Sequence, residues 1–279
     1  MVHIQKFATR SINKFAGHDI FVHGPLQLRL QVLDLLTQHC SDQVSTVTKT
    51  VGSMLLTLLQ QAALRSMDAA GVWLFISKML TPSQVHDQDT EVMIFHKIIA
   101  ISSSLIRFRR DLVTATLPHL GMVLRQLLLS TRGCRPNLGA KQKTLVMNTQ
   151  PQWISVLHPL GAEEGKAFGR LLESLNTKTT VRILSSSTSD LQKAESLAKP
   201  FSKHAAYVLQ AYIEAMNDSL CILPLEVRKE LESGLFVLCT IMNEHSRDAL
   251  MVSALDTGGK AILKALWKEY EKQRYVGKG

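Results

Sequence analysis

The chain has 279 residues, 46% of them apolar, and carries a formal net charge of +9. It is therefore long enough to bury a sizeable core, and its richness in Leu, Ala, Val, Ile and Met over Gly, Pro and aromatics favours helices packed on helices. No apolar run reaches the roughly 18 to 20 uncharged residues a bilayer span needs, so a soluble protein is expected.

The first 18 residues contain Lys6, Arg10 and Lys14 but no acid, and Val2, Ile4, Phe7, Ile12 and Phe15 could form an apolar face. That is the pattern of a mitochondrial transit peptide, but an ordinary first helix of a fragment is the reading preferred. After Gly24 and Pro25, Leu26, Leu30, Leu33 and Leu36 recur at helical spacing up to Cys40. Ser45 can cap a second helix through Val47, Val51, Leu55 and Leu59, and Asp68 a third through Trp73 and Leu80. Asp89 opens a run through Met93, His96, Ile99 and Leu105, and another from Asp111 carries Leu112, Leu117, Leu120, Leu124 and Leu127. Pro118 lies inside that last run, which predicts a kink or break near Ala115.

From Arg107 to Lys143 there are eight basic residues, Arg107, Arg109, Arg110, Arg125, Arg132, Arg135, Lys141 and Lys143, against Asp111 alone, and no acid follows until Glu163. An anionic partner is one reading of that stretch; a solvated basic surface is the other. Regular periodicity stops at Thr131. Residues 131 to 162 collect Gly133, Pro136, Gly139, Pro151, Pro159 and Gly161, which predicts an irregular basic loop and the least ordered internal stretch. A helix over Glu163 to Asn176 follows, then a Ser/Thr connection at 185 to 189. The last third reads as helices over 201 to 217, about 225 to 243, about 246 to 254, and 258 to 273. In the final one Lys260, Lys264, Lys268 and Lys272 step along one side. Ile262, Leu263, Leu266 and Tyr270 gather on the other, expected to dock near Leu235 and Leu238.

The fold class expected is all-α, an irregular helical-repeat solenoid of HEAT or armadillo type, because each hairpin leaves an apolar face that only a neighbour can cover. The chain divides into a helical-hairpin segment over 1 to 130, the basic loop over 131 to 162, and a C-terminal helical segment over 163 to 279. No sheet of more than incidental length is expected; residues 143 to 157 are the weakest place.

After residue 200, Phe201-Ser202-Lys203-His204 leads to Val208-Leu209-Gln210-Ala211-Tyr212, and Leu223-Pro224-Leu225-Glu226-Val227-Arg228 follows with Leu231, Gly234 and Leu235. The ending is Leu255-Asp256-Thr257-Gly258-Gly259-Lys260, through Leu266 and Tyr270 to Gly277-Lys278. In this order and spacing the features resemble the C-terminal domain of the nucleolar pre-ribosome-associated family of Urb/Npa type, which acts on precursors of large-subunit rRNA. The resemblance implies a scaffold in early large-subunit (60S) precursor assembly, in the nucleus and nucleolus, with protein partners from the pre-ribosomal particle beside a helicase and no cofactor. Members are far longer, so Met1 is read as the start of a fragment or truncated chain.

No enzyme is expected. Asp256-Thr257-Gly258 has the letters of an aspartic-protease turn but precedes a helix, where Asp256 or Thr257 serves better as an N-cap. Gly258-Gly259-Lys260 lacks the earlier glycine and the Ser or Thr of a phosphate loop. The histidines and the scattered Cys40, Cys134, Cys221 and Cys239 lack metal spacing, so no metal is expected, and buried thiols in a reducing compartment fit better than disulfides. Trp73, Trp153 and Trp267 read as core or seam residues rather than base-stacking platforms.

The candidate RNA-binding residues are Arg107, Arg109, Arg110, Arg132, Arg135, Lys141 and Lys143, with Lys260, Lys264, Lys268 and Lys272 on the last helix. Their ligand would be pre-rRNA, bound through phosphates and independent of base sequence. The alternative is a transport or trafficking adaptor whose groove captures a peptide or helix. Neither reading has a membrane or a small-molecule substrate.

Overall fold

The computed structural model describes residues 69–84, 90–155, 158–180 and 194–276. The two helices expected within 26 to 59, the basic N-terminus, Cys40, the Asp68 and Asp89 starts and the Ser/Thr cluster lie outside the described residues.

Those residues are mostly helical: α1 (Ala70–Met79), α2 (Val92–Phe108), α3 (Arg110–Ala115), α4 (Leu117–Ser130), α5 (Ala140–Met147), α6 (Ala162–Ser174), α7 (Ala198–Asn217), α8 (Leu225–Ile241), α9 (Glu244–Ala249), a π turn (Leu250–Ala254) and α10 (Thr257–Val276). The strands are two residues each: β1 (Gly133–Cys134) pairs with β4 (Cys221–Ile222), and β2 (Thr179–Thr180) with β3 (Ala194–Glu195), both antiparallel. Among the described residues sheet is thus incidental. Within 143 to 157, Thr144 to Val146 are helical and Pro151 forms a single bridge with Pro82.

The break near Ala115 is present. Helix α3 stops there, and α4 starts at Leu117 with Pro118 in its first turn, where a missing N–H leaves no bond unmade. The hydroxyl of Thr116, between the two helices, accepts the Trp73 indole N–H at 2.8 Å and donates to the Leu112 carbonyl at 2.8 Å. Trp73 of α1 thus docks at the break between the two helices.

Helix α2 packs on α6 and α6 on α8; alongside, α1 packs on α4, α4 on α7 and α7 on α10, with α7 also touching α8. One apolar core runs through both series, from Ala69 to Tyr270. The tightest seam lies between α6 and α8, where Gly165 meets Val227 and Gly169 meets Glu230 and Gly234. Residue numbers rise together along that seam, so the two helices run parallel.

Residues 131 to 162 differ from expectation. Thr131, Gln150, Trp153, Ile154 and Leu160 are buried, α5 occupies the middle, and Pro82 bridges to Pro151. The Gln150 amide donates to the Leu129 and Arg132 carbonyls at 3.3 and 3.1 Å, and the Trp153 indole to the Met79 carbonyl at 2.7 Å. The segment is a packed connector held by single anchors at irregular spacing, which periodicity cannot register.

Asp256 caps α10, its Oδ1 accepting the Gly259 N–H at 2.7 Å, while the Asn217 amide at the end of α7 donates to both carboxylate oxygens at 3.0 and 2.9 Å. A Cβ at Gly258 would lie 2.3 Å from Asn217 Oδ1, so this glycine is required by the neighbouring helix end. That clamp seats α10 chiefly on α7 rather than on α8 near Leu235 and Leu238. From α8, Phe236 and Thr240 meet Tyr270, with the hydroxyls of Thr240 and Tyr270 3.3 Å apart. Leu263, Leu266 and Tyr270 are buried, as the apolar stripe requires, and Ile262 is half-buried. Leu266 retains 9% exposure, so Leu266→Ala should cost about 2 kcal/mol, the low end for a buried leucine, read as a lowered urea midpoint at unchanged slope.

Candidate nucleic-acid and partner interface

The basic residues separate into two groups once their surroundings are known. Arg110 is buried because α3 follows α2 after a single residue, turning the side chain inward. Its guanidinium donates to the Ile106 and Thr177 carbonyls at 3.4 and 3.1 Å, and burial pulls its pKa below the usual guanidinium value. Arg132, at the end of α4, donates to the Leu129 carbonyl at 2.9 Å and to Thr149 Oγ1 at 3.2 Å, and lies 3.7 Å from Asp218. Arg135 reaches across to the Cys221 and Asp218 carbonyls at 3.1 and 3.0 Å. Burial opposes ionisation of Asp218, but the Leu220 and Cys221 N–H groups, the Cys221 thiol and Arg132 outweigh it and hold the carboxyl below the usual carboxylate range. Arg132 and Arg135 stitch the connector to the turn around Asp218 and Cys221, while Arg110 ties α3 to the turn after α6.

Arg109 pairs with Asp111 at 3.3 Å, Lys272 with Glu269 at 2.8 Å, and Arg125 with Glu214 at 3.3 Å. Arg107, Lys141, Lys264 and Lys268 are exposed, Lys143 and Lys260 half-buried, and none of the six has an acidic partner among the described residues. Arg107 lies over its neighbour Phe108, 5.1 Å from the ring centroid. The 107 to 143 stretch is thus a less uniform basic surface than its sequence suggests, because a polar inventory cannot tell an arginine facing water from one facing carbonyls.

A groove of about 440 Å³ that the sequence pattern does not signal lies between α9, the π turn and α10. Met251, Leu263 and Trp267 form its apolar part, and Lys264 and Lys268 line it. Asn243 caps α9, accepting the Ser246 N–H at 2.7 Å, which sets Arg247 over the Trp267 ring at 5.3 Å. Arg247 also contacts Glu244 and Asp248 at 3.2 and 3.1 Å. Tyr270 meets Trp267 edge-on at 5.3 Å, and Glu271 accepts its indole N–H at 3.1 Å. Trp267 is accordingly a seam residue, as its place among apolar neighbours implied, with one face taken by a guanidinium. Trp73 and Trp153 are core. The π turn, which bares Val252 beside the groove, has no signature in composition or period.

Among the described residues there is no cluster of three or more His, Cys, Asp or Glu suited to a metal, and no helix long and apolar enough to cross a membrane.

The model of the Urb2/Npa2 family matches residues 30–278. The chain belongs to the Urb2/Npa2 family. The match takes in the helices before residue 200 as well as the last third that carries the resemblance. Comparison with curated proteins and with solved structures gave no match. The Urb2/Npa2 family is linked to ribosome biogenesis and nucleolar pre-rRNA processing and is not known for enzymes. The mostly helical build of this member agrees with that assignment.

Proposed function

We propose that this Urb2/Npa2 protein is a helical-repeat scaffold of the early large-subunit precursor particle in the nucleolus, holding particle proteins and contacting pre-rRNA through its exposed cations. The observation that carries the RNA contact is that Arg107, Lys141, Lys264 and Lys268 face solvent without an ion pair to any acid among the described residues. Phosphates are the ligand such cations suit, and the binding would be salt-sensitive and indifferent to base sequence. The two adjoining series of helices support the irregular solenoid. In this reading the hairpins up to residue 130 and those from 163 form one scaffold, joined by the 131–162 connector.

Charge reversal of Arg107, Lys141, Lys143, Lys264 and Lys268 to Glu should lower RNA affinity and flatten its salt dependence, by about one unit of slope for each phosphate no longer neutralised, with helicity unchanged. An unaltered salt slope would reduce these residues to a solvated surface. Arg110, Arg132 and Arg135 are the comparators: replaced by Gln, they should destabilise the fold, Arg110 most, because it is the buried one and its loss leaves the Ile106 and Thr177 carbonyls without that donor.

The groove beside Trp267 favours a second reading, capture of a peptide or helix by an adaptor. Trp267→Ala should then abolish a protein contact while leaving the RNA salt slope as it was.

A further inference from the structure

We propose that Cys134 and Cys221 are a cross-strand dithiol, a site of covalent modification that closes to a disulfide when the protein meets a disulfide-class oxidant. The pairing of β1 with β4 sets Cys134 directly opposite Cys221, and Gly133 opposite Ile222. One step further along, the Arg135 N–H donates to the Leu220 carbonyl at 3.1 Å. In an antiparallel ladder hydrogen-bonded and non-bonded pairs alternate, so the cysteines occupy a non-bonded position, where Cα atoms are about 4.5 Å apart and side chains lie close. That spacing falls within the range a disulfide spans, about 4.4 to 6.8 Å between Cα atoms.

The backbone around Cys221 gives the same register independently. Its N–H is directed to Asp218 Oδ1 at 3.2 Å and its carbonyl accepts from the Arg135 side chain at 3.1 Å, so both are directed to side chains, as a non-bonded ladder position allows. Arg135 also binds the Asp218 carbonyl, and Asp218 Oδ1 accepts the Leu220 N–H at 2.7 Å. The two strands are thereby held together by contacts that do not involve sulfur, and the thiols are placed before any oxidation.

The exchange has an order. Cys134 is part-exposed and Cys221 buried, so glutathione disulfide meets Cys134 first. The Cys134 thiolate attacks one glutathione sulfur and releases one glutathione thiolate. The Cys221 thiolate then attacks the Cys134 sulfur of the mixed disulfide and releases the second. Two protein thiols are oxidised, one glutathione disulfide is reduced to two thiols, and the two protein protons end on glutathione. Burial pushes both thiols up, Cys221 to about 11, with Lys143 partly offsetting the rise at Cys134. The reaction is therefore slow at neutral pH, and because a high-pKa thiol is a poor leaving group, the closed form resists attack that would expel Cys221. In a reducing compartment the pair stays open. The bond would tie the connector after α4 to the turn between α7 and α8.

The test treats the whole folded protein with glutathione disulfide, blocks remaining thiols with N-ethylmaleimide, digests without reduction and reads the peptides by mass spectrometry. The expected result is a Cys134–Cys221 cross-linked peptide, two hydrogens lighter than its parts, and an unfolding temperature that rises on oxidation and returns with dithiothreitol. Cys134→Ser should leave Cys221 alkylatable on unfolding and carry no cross-link. Cys239, buried and without a partner in register, should remain a thiol throughout. A wild-type protein that stops at the glutathione adduct of Cys134, keeps both thiols, or cross-links to Cys40 or Cys239 overturns the proposal.

Discussion

Gly169→Ala should destabilise the protein, although alanine is the better helix former. Replacing a helical glycine with alanine ordinarily gains about 0.8 to 1 kcal/mol. At Gly169, however, the added Cβ would lie 2.6 Å from the Glu230 carbonyl oxygen, and at Gly234 it would lie 2.8 Å from the Gly169 carbonyl oxygen. Both obstacles are backbone, so relief requires α6 and α8 to separate, at an overpacking cost of about 1 to 3 kcal/mol or more. The clash wins. Gly169→Leu should go further and disrupt the folded state. Gly121→Ala in α4 reverses the sign: its Cβ would sit 3.5 Å from the His204 Cβ, an ordinary contact, and the variant should gain up to about 1 kcal/mol. Urea unfolding of the pair decides the matter; equal shifts in the same direction would show that the parallel α6–α8 seam is not this close.

Trp153→Ala should cost about 3 to 5 kcal/mol, because the side chain is 1% exposed and its removal opens a cavity beneath the connector. It also strands the Met79 carbonyl that the indole satisfies, adding about 1 kcal/mol or more. Trp153→Phe should recover much of the packing but none of that hydrogen bond, and so fall between wild type and Ala. The measured quantity is the chemical-denaturation midpoint. A Trp153→Ala protein as stable as wild type would mean that residues 131 to 162 are not part of the core.

Local pattern made much of this architecture legible. The run through Ile99 and Leu105 marks α2, although Met93, read with them, is exposed and the buried face is centred on Ile94, Ile98, Ile101 and Leu105; the i, i+4 recurrence in α4 marks its buried face, and Pro118 marks the break before Leu117. Asp256 before a helix reads as a cap, and the lysine and leucine sides of α10 divide as helical geometry demands. Gly165 and Gly169, four apart on one face, left a trace of the α6–α8 seam in the sequence, but nothing in it names Gly234 as the partner.

The sequence by itself determined the helical class, most helix ends and the family, because these depend on spacing within a few turns and on the order of short motifs. Only the tertiary structure decided which cations face water. Arg107 and Arg110 are three apart in one basic run, yet one is exposed and the other binds two carbonyls, a difference made by the short α2–α3 joint and by Thr177 far along the chain. It also decided that the Gly- and Pro-punctuated connector is packed, that α10 rests on α7 through the Asn217–Asp256 clamp, and that Cys134 stands opposite Cys221. Each of these joins residues distant in sequence through the way helices pack. Hydrophobic period reports that a face will be buried and carries no address for what will cover it.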